Sequence, residues 1–149
     1  MTSALGRGSA ALLDAVLERL IPEDEHGPGA LAAGVPRYIE GALERGGEPA
    51  VERWEAGLAA LAALAREVAG GDFAALAPEA QDRVLGLAAG GGEAAFFAEL
   101  RQRAIEGMFC DPSWGGNAGE AGWRLLGYAG PRHVWTAADQ RIAEAHPAP

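Results

Sequence analysis

Lysine is missing from this chain of 149 residues: its twelve cationic side chains are all arginines, set against 21 acids for a formal net charge of −9. A basic face that could neutralise phosphates is therefore not expected, which argues against nucleic acid and equally against an anionic membrane surface. There is no P-loop lysine and no G-x-G-x-x-G run after a strand, so a nucleotide cradle has no sequence support. Cysteine is nearly as scarce. Cys110 stands alone, which excludes an intrachain disulfide and any thiolate set for zinc or an iron–sulfur cluster. It has no cationic neighbour in sequence to lower its pKa and reads as a small buried hydrophobe, not as a nucleophile working with His133. His26, His133 and His146 share no ligand spacing. No G-x-S-x-G elbow occurs, and no apolar run approaches the length of a membrane span. The opening Met1 to Arg7 has neither an apolar h-region nor an Arg-Arg pair. The expectation is a cytoplasmic protein, or one exported with a signal supplied by its partner.

What remains is alanine, glycine and leucine in helical register. Ser9 is a candidate cap for a first helix carrying Leu12, Leu13, Val16, Leu17 and Leu20, which Pro22 ends. Glu23-Asp24-Glu25-His26 reads as solvated loop, because consecutive loop residues rarely converge on one ion. A second helix carries Val35, Tyr38, Ile39 and Leu43, with Pro36 in its first turn and Gly46-Gly47 as its stop. A third runs from Glu48 to Val68 with Trp54, Leu58, Leu61 and Leu64 on one face, closed by Gly70-Gly71. Phe73 and Leu76 plug the core from a short connector. Pro78 opens a fourth helix ended by Gly90-Gly91-Gly92, which reads as a stop and flexible joint, not as an anion site. The fifth runs from Glu93 to Phe109 with Phe96, Phe97, Leu100, Ala104 and Met108 at spacings of three or four. No strand alternation and no repeat of fixed period is visible. The chain reads as one domain over 1–149, an all-α bundle of five to six helices.

The most informative segment interrupts this pattern. In Asp111-Pro112-Ser113-Trp114-Gly115-Gly116-Asn117, Pro112 fixes its own φ and pushes Asp111 out of the helical region. Gly115 and Gly116 open angles closed to other residues, and a positive φ at Gly116 would make a β-branched side chain there strained. Asp111 suits an Asx-type turn to Ser113 or Trp114. Asn117 followed three residues later by Glu120 has the form of a capping box for a short helix over 118–126 stopped by Gly127. Thr136 with Asp139 suggests a last helical piece. Trp114, at the tip of a glycine-rich turn, is poorly placed for its own core and suited to anchoring an interface. Phe109 and Trp123 read equally as core fillers or partner contacts. Arg101, Arg103 and Arg124 are available to pair with acids of a partner.

Four blocks of this sequence resemble the family of gluconate 2-dehydrogenase subunit 3. They are Leu20-Ile21-Pro22 with Pro28-Gly29-Ala30 and Ala33-Gly34-Val35; Tyr38-Ile39 with Leu43; Phe96-Phe97 with Leu100-Arg101; and Gly107-Met108-Phe109 running through Asp111-Pro112 and Gly115-Gly116-Asn117 to Gly122-Trp123. The last is the most specific. Trp114 stands where the family more usually has Tyr, and Tyr128 where Phe is common. The resemblance implies a non-catalytic, chaperone-like small subunit with no cofactor of its own. It would bind and stabilise a large FAD-dependent sugar or polyol dehydrogenase of the glucose–methanol–choline type, and meet a cytochrome or other acceptor through it. The partner-facing residues expected are Phe109, Asp111, Pro112, Trp114, Gly115, Gly116, Asn117, Trp123 and Arg124. The alternatives are a maturation or export chaperone for that flavoprotein, or a freestanding helical binding protein.

Overall fold

The computed structural model describes residues 3–131 and Val134. The helical piece expected around Thr136 and Asp139, with His133 and His146, lies outside the described residues. Among these residues the chain is all-α: α1 (Arg7–Leu20), α2 (Val35–Gly46), α3 (Glu48–Ala69), α4 (Pro78–Gly90), α5 (Ala94–Phe109) and α6 (Ala121–Leu125). Three single 3₁₀ turns, Phe73–Ala75, Pro112–Trp114 and Ala118–Glu120, join them. No strand forms among the described residues beyond an isolated bridge between Asp24 and Gly27. That bridge closes the acidic loop, whose Glu23, Asp24, Glu25 and His26 are all exposed, as solvated loop residues should be.

The boundaries follow proline and glycine chemistry. Pro36, Pro49 and Pro78 lie in first turns, where a missing N–H costs nothing. Gly47 ends α2, and left-handed Gly70 ends α3. The first cap departs from expectation. Helix α1 starts two residues before Ser9, behind Gly6. The carboxylate of Glu55 on α3 accepts from Gly6 N at 2.6 Å and from Ser9 Oγ, so a distant acid does the work of a local cap.

Helix α3 packs on α1, α2 and α4, while α5 closes the other side against α2 and α4. Leu13, Val16 and Leu17 of α1 meet Leu58, Leu61 and Ala65 of α3, Val84, Leu85 and Ala88 of α4, and Leu100, Ala104 and Met108 of α5 in one cluster. The 3₁₀ turn drops Phe73 into the core, held by Gln81 Nε2 donating to its carbonyl at 2.9 Å. Trp54 is the largest buried side chain. Its Nε1 donates to Glu99 at 3.0 Å, and its ring meets Phe96 edge to face with centroids 5.4 Å apart. The Arg53 hydrogen bond, followed by that of Trp54, holds the Glu99 carboxyl below its ordinary range against the opposing effect of burial. Truncating Trp54 therefore removes packing and leaves Glu99 short of a donor. Trp54→Ala is expected to lower the unfolding free energy by about 3–5 kcal/mol in urea melts. Leu87→Ala, at a half-exposed side chain on α4, should stay within about 0.5 kcal/mol. Equal effects of the two would show that Trp54 is not a centre of this core.

Candidate partner-docking site

An α-helix leaves its last four carbonyls without helical donors, and a buried one must find them elsewhere. Helix α5 ends at Phe109 and finds them in the chain that returns after the turn. The C-cap Cys110 N still makes the helical bond to Glu106 O at 2.8 Å; from the returning chain, Asn117 N donates to Gly107 O at 2.8 Å and Trp123 Nε1 to Phe109 O at 2.8 Å. Asn117 Nδ2 donates to Cys110 O at 2.8 Å, while its Oδ1 accepts from Gly122 N at 2.8 Å. Asn117 is the one buried polar residue among those described, with 0% exposure. It sits in the left-handed region, at φ 46 and ψ 41, which asparagine tolerates better than most residues. The expected capping box is thus replaced. The side chain does not cap the following turn locally; it staples the end of α5 to the start of α6. Glu120 is exposed, has φ 60 and takes no part, and the expected 118–126 helix divides into a 3₁₀ turn and the short α6.

The glycines here are chosen by contact. A Cβ on Gly116 would overlap Gly107 O and lie 3.0 Å from Cys110 Sγ, and one on Gly122 would overlap Met108 O. Gly116 is thus required by close backbone approach, not by positive φ; the left-handed glycine of the pair is Gly115, at φ 96. Gly107 lets α5 sit against Tyr38 and Val35 of α2, where a Cβ would lie 3.0 and 3.1 Å from their side chains. Ala118 N donates to Ala33 O at 2.8 Å, tying the turn to the loop before α2.

Held this way, the turn presents one large ring. Asp111 Oδ1 accepts from Ser113 N at 2.9 Å, the expected Asx-type turn, and Gly115 N closes the 3₁₀ turn on Pro112 O at 3.0 Å. Trp114 is 54% exposed, with the Arg45 guanidinium 5.0 Å from its ring centroid. Beside it lies an open groove of about 460 Å³ walled by Tyr38, Ile105, Glu106, Phe109 and Cys110. Burial pushes the Glu106 carboxyl up, yet hydrogen bonds from Gln102, Tyr38 and Arg103 outweigh it, so the group is held below its ordinary range. Burial, and next the hydrogen bond to Glu106, push the Tyr38 hydroxyl up. The Cys110 thiol is pushed up chiefly by burial, which keeps it protonated and unreactive near neutral pH. No group of three metal-ligating side chains gathers among the described residues.

The nine residues singled out in sequence divide sharply. Trp114, Asp111 and Arg124 are exposed, and Pro112, Gly115 and Phe109 are half-buried. Gly116, Asn117 and Trp123 are buried inside the chain itself, where they shape the turn. Trp123 packs edge to face on exposed Tyr128, with centroids 5.2 Å apart. Arg124 donates to Gly119 O, and Arg103 is taken by Glu106 at 2.9 Å. Sequence reasoning missed Arg45 and Ile105 as neighbours of Trp114, and nothing local to either signals it.

Three substitutions separate scaffold from surface. Gly116→Val should lower the melting temperature by several degrees through collision with Gly107, a loss of about 1–3 kcal/mol. Asn117→Asp keeps shape but sets a carboxylate against the Cys110 carbonyl. Its penalty should grow as pH rises through the ordinary carboxylate value of about 3.9, because the folded-state pKa of that new group is raised. Trp114→Ala should leave the melt nearly unchanged. Thermal melts at two pH values check all three; an unfolded Trp114→Ala beside a silent Gly116→Val would reverse the assignment.

Neither the curated proteins nor the solved structures compared with the chain give a match. The family model described as gluconate 2-dehydrogenase subunit 3 matches residues 8–130, a span that runs from α1 past the stapled turn, and the chain belongs to that family.

Proposed function

We propose that the chain is the non-catalytic small subunit of a dehydrogenase complex, docking through the Trp114 turn on a large FAD-dependent sugar or polyol dehydrogenase of the glucose–methanol–choline type and stabilising it. Family membership supports the dehydrogenase association. The observation that carries the docking surface is the contrast at the turn. Completely buried Asn117 and tightly packed Gly116 fix the backbone, and the side chain so positioned is the most exposed tryptophan in the described chain. Such pre-organisation lowers the entropy lost on association, and buried aromatic anchors dominate binding energy. Ile105, Leu125, Leu126 and Tyr128 add further exposed apolar surface for a partner to cover.

In this reading the flavin and the hydride chemistry belong to the large subunit, since this sequence offers no dinucleotide motif. The small subunit acts by mass action: binding the folded flavoprotein and not its unfolded chain raises the population of the former. The purified chain alone is expected to be colourless and inactive in sugar-dependent dye reduction. Co-expressed with a large FAD-dependent dehydrogenase of the same genome, it should co-purify and raise soluble yield and flavin occupancy. Stoichiometric flavin on the isolated chain, or a flavoprotein indifferent to its presence, would overturn the proposal. Raised occupancy without co-purification would point instead to a maturation chaperone.

A further inference from the structure

Acids outnumber arginines 21 to 12. Arg19, Arg53, Arg66 and Arg103 each pair with a carboxylate, at 2.5, 3.0, 2.8 and 2.9 Å, while Arg7, Arg83, Arg101 and Arg124 have no ion pair among the described residues. Arg37 and Arg45 of α2 are exposed and have no ion pair among the described residues, and both are laid against the turn. Arg45 covers the Trp114 ring. The stem of Arg37 runs along Gly115, where a Cβ would lie 3.3 Å from its Cγ. At positions 37 and 45 of one helix, the two are about 12 Å apart along its axis and bracket the turn.

We propose that this bracket is the specificity element of the docking surface, and that the partner meets it with an acidic segment: a carboxylate for each arginine, with an apolar side chain between them entering the groove beside Trp114. The assignment rests on the accessory-subunit reading. A guanidinium stacked on a ring still has its in-plane N–H fork available, which suits bidentate pairing to a carboxylate. A partner that covered Trp114 without an acceptor for Arg45 would desolvate that charge unpaired, at a penalty that cancels much of the gain from burying the ring. On a body of net charge −9, the two arginines flank the only exposed tryptophan of the described chain, beside a groove also lined by Asp111 and the Arg103-paired Glu106, and their guanidinium forks orient an acidic segment and reject a basic one.

The test compares two double charge reversals in complex with the co-expressed flavoprotein subunit. Arg37→Glu with Arg45→Glu alters the bracket; Arg7→Glu with Arg83→Glu makes the same change in net charge at exposed arginines on α1 and α4. Melting curves of each isolated variant establish that it is folded. The bracket reversal is expected to weaken the complex by about tenfold or more and to flatten its dissociation between about 50 and 500 mM salt, while the control stays within about twofold. Equal weakening by both reversals, or none by the bracket reversal while the wild-type chain binds, overturns the acidic-segment assignment and leaves the accessory role standing. A wild-type chain that does not bind the flavoprotein overturns both. Sedimentation of the isolated chain closes the remaining alternative: a self-associated species dissolved by the bracket reversal would make a second copy the occupant and refute the proposal.

Discussion

The carbonyls left without helical donors at the end of α5 are the constraint around which this molecule is arranged. Gly107, Phe109 and Cys110 point acceptors into the protein, and the chain must turn back within a few residues to supply donors. Asn117 gives two of them, from backbone and side chain, and Trp123 a third from its indole. Close approach then forbids a Cβ at Gly116 and Gly122. The turn between has little freedom left, and the aromatic residue it carries is displaced outward. Interior hydrogen bonding thus decides what the surface shows.

The same constraint explains why separated blocks of sequence share one fate. Gly107 admits Tyr38 and Val35, Ala33 accepts from Ala118, and a Cβ on Gly34 would lie 3.0 Å from Gly115 O. The loop before α2 and the turn after α5 are therefore two halves of one packed unit. A change in either alters the backbone on which Trp114 and Arg45 are displayed. The display of these side chains and the folding of the chain are coupled here through backbone contact.

The helices were largely legible in the sequence because glycine and proline punctuate them: Gly46-Gly47, Gly70-Gly71, Pro78 and Pro112 act through local backbone sterics that need no partner. The caps were not. Ser9 and the Asn117–Glu120 pair match capping patterns, yet Ser9 lies inside α1 and Asn117 faces back toward α5, because donors and acceptors from other elements were better placed. At the site, the turn and the exposure of Trp114 followed from composition. The burial of Gly116, Asn117 and Trp123, and the company of Arg37 and Arg45, depended on α2 and α5 lying side by side, which no local pattern encodes.

None of the six α-helices carries a side-chain hydrogen bond from its own N-cap residue. At the chain's start the substitute comes from afar: Glu40 accepts from Ser3 Oγ at 2.5 Å and Ala4 N at 2.7 Å, and Glu55 holds the entry to α1. Helix α1 accordingly has no local side-chain cap at Arg7; the hydrogen bonds that hold its entry come from α2 and α3. The amino-terminal helix is thus tied to the tertiary order of the bundle, and loosening either neighbour should fray its first turn.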